Sequence, residues 1–174
     1  VKVELSTGGE EVIEYDYLVV ATGAGAASPA FKLNGNYEES VAAIEKITKS
    51  VEKSENIAIL GGGVTGVEVS GELADKYPGK NFTLYTGSLG PLSNLGGSIG
   101  GKATTQLKAL GVQIVNNKRF TDIKDINNGF EITFDDGSSV VADTYIPTYG
   151  LHANTDFISS EYLDDQKFLK SGKD

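Results

Sequence analysis

The stretch IAILGGGVTGVEVSGELADKYPGKNFTLYTG, Ile57 to Gly87, decides the fold. Ile57–Leu60 is a short apolar run, and a glycine-rich turn follows it. Residues at helical spacing then run to about Tyr77, Pro78 stops them, and Phe82–Tyr85 is a second apolar run. Strand, turn, helix and strand in that order predict a βαβ unit with parallel strands. Gly61, Gly63 and Gly66 fit GxGxxG. Gly61 permits a tight exit from the strand, Gly63 lets backbone approach a pyrophosphate, and Gly66 lets helix and strand pack closely. The helix N-terminus offers unpaired N–H groups and partial positive charge to phosphates. Thr65 adds a hydroxyl. A lone GxGxxG is a weak signal, but here it sits between a strand and a stopped helix, the setting a dinucleotide site requires. A purely structural glycine turn is the bland alternative.

The fingerprint expects an acid about twenty residues after the glycines, to hold the adenosine ribose hydroxyls. That position is Thr86, in YTGSL. No nearby Arg or Lys is present to grip a 2′-phosphate either. The choice between NAD and NADP stays unsettled, with NAD favoured because a phosphate without a cation is harder to hold. Glu68 and Glu72 lie one helical turn apart. Glu72 can pair with Lys76 at i,i+4, whereas Glu68 sits close enough to the glycine turn to face a cofactor cleft. His152, the sole histidine, is expected in a surface or hydrogen-bonding role.

Composition narrows the field. The 174 residues carry 39% hydrophobic and 22% charged residues, enough for one sizeable core. Net charge is −9 with no basic run, which excludes a nucleic-acid footprint and disfavours contact with anionic membrane through this segment. With no cysteine there is no disulfide, thiolate nucleophile or CxxC pair, and with one histidine no metal site is expected. No run approaches the apolar length of a transmembrane helix. The compartment stays open, cytoplasmic or mitochondrial, as does the oligomeric state. Methionine is absent and the chain begins in strand-like alternation, VKVEL, so a fragment of a longer protein is expected.

Outward from the central unit, Val1–Leu5 and Val12–Val20 read as a hairpin turned by Gly8 and Gly9. Leu18, Val19 and Val20 are continuously apolar, as in a strand buried on both faces. GAGAASPA is a small-residue linker. Asn36 caps a helix bearing Val41, Ile44, Ile47 and Val51, with Glu39 three residues after the cap. After a Gly/Ser loop, Ile99, Ala103, Leu107 and Leu110 mark another helix, ended by Gly111. VQIV is a further short strand. From Arg119 alternation sets in, DDG makes a turn, and VVADTYIPTYGL closes a meander. An internal repeat is also expected. VELSTGGEEVIEYDYLVVATG and FEITFDDGSSVVADTYIPTYG share strand, turn, strand, Asp, apolar run and Gly, and Asp16–Gly23 and Asp143–Gly150 span the same seven positions. The first copy would have its own glycine turn upstream of Val1.

YDYLVVATGA, IAILGGGVTGVEVSGEL and ADTYIPTYGLHANTDF stand in the order seen in flavoprotein oxidoreductases with two dinucleotide folds. The chain resembles that family, and GGGVTGVEVSGEL is most similar to its apoptosis-inducing-factor-like and type II NADH dehydrogenase branch. The resemblance implies a Rossmann-like α/β fold: a βαβ parallel sheet with a β-meander, plus partial strands of a flanking FAD domain. It divides the chain into 1–30, a partial FAD-domain hairpin and linker; 31–153, an NAD(P)H-binding domain; and 154–174, the start of a return to the FAD domain. It implies that Ala21, Thr22 and Gly23 contact flavin and that Gly61, Gly62, Gly63, Val64, Thr65 and Gly66 hold the NAD(P)H pyrophosphate. Glu68 becomes the catalytic candidate, near nicotinamide and flavin, and Gly150 ends the strand beside the nicotinamide. Departures from the family pattern are Thr86 for the usual acid, IPTYG for ATG, and Ala153 for the proline of PNT. The implied activity is hydride transfer from NAD(P)H to FAD and on to an acceptor such as a quinone, with this segment alone inactive. Two other classes compete. A non-catalytic NAD(H)-sensing module would carry no flavin remnants, against YDYLVVATGA, and an S-adenosylmethionine-dependent methyltransferase would want an acid at Thr86.

Overall fold

Ile57–Leu60 is apolar at every position because both faces of its strand are covered. In the computed structural model, which describes residues 1–32 and 35–172, Ile57 and Ile59 face one way and Ala58 and Leu60 the other, as pleating requires. The first pair packs with Phe82, Leu84, Val51, Ala74, Leu107 and Ile146. The second packs with Ile132, Phe134 and Ala142. Each fully buried Ile, Leu or Phe of this kind contributes roughly 1.5–3 kcal/mol relative to exposure.

The chain divides into two compact units, Val1–Gly23 with Ala153–Asp174, and Ala24–His152. The first opens with a hairpin, β1 (Lys2–Glu4) and β2 (Glu10–Val12). Gly8 and Gly9 turn it with positive φ, as expected from STGGE. The second arm stops at Val12, well short of the expected Val20. No strand among the described residues pairs with Leu18–Val20, so the run is not buried on both faces: Leu18 is 52% and Val19 85% accessible, and Val20 is half-buried. Composition can mark a strand for burial on both faces, but only neighbouring strands bury it. At the other end of this unit a single turn of 3-10 helix, Ser160–Tyr162, leads to a bridge between Leu163 and Leu169. The Asp164 carboxylate accepts from the Gln166 and Phe168 N–H groups there.

The second unit starts at the two-residue strand β3 (Ala24–Gly25) and runs to β11 (His152–Ala153), whose first residue is its last. Between them lie α1 (Tyr37–Lys53), β4 (Asn56–Leu60), α2 (Val64–Lys76), β5 (Asn81–Tyr85), α3 (Gly97–Ala109) and β6 (Gln113–Val115). β7 (Phe120–Ile126), β8 (Gly129–Phe134), β9 (Ser139–Ala142) and β10 (Thr144–Pro147) follow. Asn36 caps α1, its side chain accepting from the Glu39 N–H at 2.9 Å, as read from sequence. At the other end of α1, Lys80 donates to the carbonyls of Glu52 and Ser54, the natural place for a cation on a helix.

The parallel sheet has order β10-β4-β5-β6. β7, β8 and β9 form an antiparallel meander whose inner face covers Ala58 and Leu60. Aromatic pairs fasten it to the parallel sheet and to the segment that follows β10: Tyr85 with Phe134 (ring centroids 5.0 Å apart), Phe130 edge-on to Tyr145 (4.9 Å) and Phe120 with Tyr149 (4.3 Å). The layers are therefore helices, parallel sheet and meander.

VVADTYIPTYGL does not close the meander as a whole. Ser139–Ala142 does, pairing with β8, and then the chain crosses over. Thr144–Pro147 runs parallel to β4, with Thr144 opposite Ile57 and Pro147 opposite Leu60. Asp143 makes the crossing. Its carboxylate accepts from the backbone N–H groups of Asn56 (2.8 Å) and Glu55 (2.9 Å), joining the meander's end to the start of β4. Those two donors, Asn56 first, hold its carboxyl below the usual range. A depressed folded value means the stabilisation is present above the unfolded carboxyl's titration near pH 4 and is lost as pH falls through the folded value. Asp143→Asn should therefore lower the melting temperature at pH 7, and the gap to the native chain should close progressively in acid. Thermal melts between pH 7 and pH 2 check this; a gap that does not change with pH contradicts it.

Candidate dinucleotide site

β4, β5 and β6 are parallel and in near-level register, Leu60 opposite Tyr85 and Tyr85 opposite Val115. Their C-terminal ends therefore deliver three segments to one edge of the sheet: the glycine turn, residues 86–88, and residues 116–119. The crevice beyond the carboxyl ends of such strands is where ligands bind in open α/β sheets.

The glycine turn is built as its spacing suggests, with a different cause at each position. Gly61 has φ +119, open to glycine and strained for other residues. Its N–H donates to Tyr85 O at 3.0 Å. A Cβ on Gly66 would drive into the Gly61 carbonyl oxygen and come within 2.9 Å of Thr148 Oγ1. A Cβ on Gly62 would lie 2.6 Å from Thr86 Cγ2. Gly63 is the contrast, since nothing lies within 4 Å of the position its Cβ would take. Three glycines are thus required by the protein's own packing, whereas the one nearest the helix tip faces open space.

Gly63 is also the N-cap of α2, and no side chain caps it. The first-turn N–H groups, Val64 and Thr65 among them, have no acceptor among the described residues. An uncapped helix tip beside a bare glycine is a fitting cradle for a pyrophosphate. The helix comes this close to the sheet because its buried stripe is small: Gly66, Ser70 and Ala74, four apart. Ser70 is fully buried, its hydroxyl donating to Gly66 O at 2.6 Å. Ser70 and Ala74 were absent from the expected site, although their spacing was visible.

Thr148, in the departing IPTYG, is a second omission. Its Oγ1 lies 2.9 Å from Leu60 O and 3.0 Å from Gly61 O, and its N–H donates to Leu60 O. It positions the strand exit from which the glycine turn begins. Beyond it, Gly150 has φ +76 and sits against Ala27, whose Cβ would be 2.8 Å from a Cβ added there. Gly23, its counterpart in the expected repeat, has φ +72. In the first unit Thr22 Oγ1 donates to Asn154 O at 2.8 Å and Asn154 Nδ2 to Thr22 O at 3.1 Å, so Ala21, Thr22 and Gly23 adjoin a clasp between two sequence motifs.

Glu68 is exposed in the second turn of α2. It borders two grooves, one of about 530 Å³ against α3 and one of about 320 Å³ against α1 and Phe31. The expected Glu72–Lys76 pair is absent among the described residues; Lys76 Nζ instead lies 5.2 Å from the Tyr77 ring centroid. His152 is exposed, with Nδ1 3.0 Å from Gly150 O. Among the described residues no cluster could hold a metal, and no helix is long and apolar enough to cross a membrane.

Thr86 is fully buried. Its hydroxyl donates to Ser88 O at 2.8 Å and lies 3.3 Å from Asn116 Oδ1, so its bonding is internal. The cation missing from the local sequence arrives from elsewhere, because Arg119, thirty-three positions beyond Thr86, packs against Gly87.

The family model described as pyridine nucleotide-disulphide oxidoreductase matches residues 1–168. The chain belongs to this family. It is 34% identical over 161 residues to the oxidoreductase ptaL of Pestalotiopsis fici, covering 91% of this chain and 43% of that one. It is 29% identical over 167 residues to apoptosis-inducing factor homolog A of Dictyostelium discoideum, covering 90% and 40%. The chain thus spans under half the length of the curated relatives it matches. Among solved structures, the water-forming NADH oxidase of Lactobacillus brevis bound to NADH superposes with TM-score 0.67 at 20% identity, covering 95% of this chain and 38% of that one. An engineered NADPH oxidase derived from it, bound to NADPH, gives the same TM-score, identity and coverage. At that identity the likeness establishes the fold alone.

Proposed function

We propose that this chain is the NAD(P)H-binding part of a flavin-dependent oxidoreductase that moves hydride from nicotinamide to FAD and onward to an acceptor such as a quinone. One observation carries the proposal: the tip of α2 is uncapped and open at Gly63 while Gly61, Gly62 and Gly66 are locked by their surroundings. Family membership supports the flavin half of the statement. The chemistry supplied by bound cofactors is hydride transfer, and the protein's task is binding and orientation. Val64, Thr65 and neighbouring N–H groups would take the pyrophosphate oxygens. Thr148 would keep the turn in register beneath them. Glu68 would stand at the nicotinamide end, Gly150, packed against Ala27, would end the strand beside it, and Ala21, Thr22 and Gly23 would belong to the flavin side. The fold leaves the donor open, since an NADH-bound and an NADPH-bound structure match it equally well.

The test is a titration of the full chain with NADH and NADPH. Saturable binding of at least one at or below millimolar concentration is expected, and its absence for both overturns the proposal. Glu68→Gln in the flavin-loaded protein should slow flavin reduction by about tenfold or more if its charge orders the nicotinamide end. An unchanged rate removes Glu68 from the site.

A further inference from the structure

The adenosine end of a dinucleotide lies beyond the second strand of the βαβ unit, here β5. The residue expected there, Thr86, is buried and internally bonded. What the surface presents instead is assembled from two segments. Residues 86–88 and 116–119 are zipped together by backbone bonds, Lys118 N–H to Thr86 O at 2.8 Å and Asn117 N–H to Ser88 O at 2.9 Å. The zipper lays Arg119 across Gly87. A Cβ at Gly87 would lie 3.5 Å from Arg119 Cβ and 3.6 Å from its Nε, both ordinary contact distances, so the arginine's stem and Nε lie beside residue 87.

Arg119 is the only arginine in a chain with 24 acidic residues. It is exposed and makes no ion pair among the described residues. The nearby acids form no ion pair with its guanidinium among the described residues. Asp136 is held by Lys118 and Ser138, and Asp135 Oδ1 accepts from the Arg119 backbone N–H at 3.3 Å. Gly87 and Ser88 leave the approach small and polar. A permanently charged planar fork with five donors, brought to this edge and making no ion pair with a protein acid, matches a phosphate better than a ribose diol.

We propose that Arg119, lying across Gly87, is a specificity-determining residue that binds the 2′-phosphate of NADPH. This rests on the glycine turn holding the pyrophosphate as proposed above. The sequence immediately around Thr86 carries no cation. The zipper supplies one.

The experiment is calorimetric titration of the full chain and of Arg119→Ala with NADPH and with NADH, each at low and moderate salt. The native chain is expected to bind NADPH at least as tightly as NADH, with the steeper salt dependence for NADPH. Arg119→Ala should weaken NADPH by about tenfold or more and NADH by less than about threefold. Arg119→Lys should recover part of the NADPH loss. Equal losses for both ligands, or no loss for either, overturn the Arg119 proposal while leaving the glycine-turn site standing. Failure of the native chain to bind either ligand overturns the site and the Arg119 proposal with it. The native chain's preference and its salt dependence need no variant, so a poorly folded mutant does not shield the proposal.

Discussion

Gly66→Ala is expected to cost roughly 3 kcal/mol or more, which lowers the melting temperature of a chain this size by about 10 °C. The added methyl has nowhere to go. It points into the Gly61 carbonyl and stops 2.9 Å from Thr148 Oγ1, and neither group is free, because Thr148 Oγ1 is bonded to the Leu60 and Gly61 carbonyls. Relief requires α2 to lift from β4. That movement separates Ser70 and Ala74 from the sheet as well, since they share the buried stripe. Gly71 is the internal control. A Cβ there meets only Leu107 Cδ2, at an ordinary 3.8 Å, so Gly71→Ala should be neutral or stabilising by about 0.5–1 kcal/mol through helix propensity. Thermal melts followed by circular dichroism separate the two. Similar melting temperatures for both variants would show that Gly66 is not the close-packing residue of the unit.

Gly63→Ala should do the reverse, leaving stability almost untouched and destroying binding. Gly63 has φ −74 and ψ −173, extended backbone that alanine adopts freely, and open space where the methyl would sit. Alanine is the poorer N-cap, but it loses less chain entropy on folding, and these opposed effects leave stability within about 1 kcal/mol of the native value. The methyl does occupy the volume through which a pyrophosphate would reach the α2 tip. Affinity for NADH and NADPH should fall together by more than about tenfold, because the clash is with the part the two share. Retained affinity would mean that the phosphates do not lie against Gly63. Measured side by side, the Gly66 and Gly63 variants dissect one sequence motif into a packing role and a binding role.

Much of the central unit was readable because its determinants are local. Ile57–Leu60, the spacing of Gly61, Gly63 and Gly66, and the stop at Pro78 each act within a few residues, and strand, turn and helix form where they indicate. The cap at Asn36 and the turns at Gly8–Gly9 and Gly137 are legible for the same reason. What escaped depends on contacts between distant segments. Leu18–Val20 has the composition of a buried strand, yet no strand among the described residues pairs with it. Thr144–Pro147 reads as the end of a meander until Asp143 is seen bonding to Glu55 and Asn56 and turning it beside β4. Thr86 was expected at a ribose but is enclosed by Ser88 and Asn116, and Arg119 reaches Gly87 only through a backbone zipper that no local pattern announces. Features set by backbone conformation could be read from sequence, whereas contacts set by strand order could not.

On the proposed function, the Gly61–Gly66 turn and the first turn of α2 hold the phosphates of a nicotinamide dinucleotide. Backbone amide NMR of the full chain during titration with NADPH tests it residue by residue. Saturable shifts concentrated at Gly62, Gly63, Val64, Thr65 and Gly66, following one binding curve, are expected. If these amides stay in place at millimolar NADPH while others move, or if none moves with either NADPH or NADH, the phosphates do not bind at this turn.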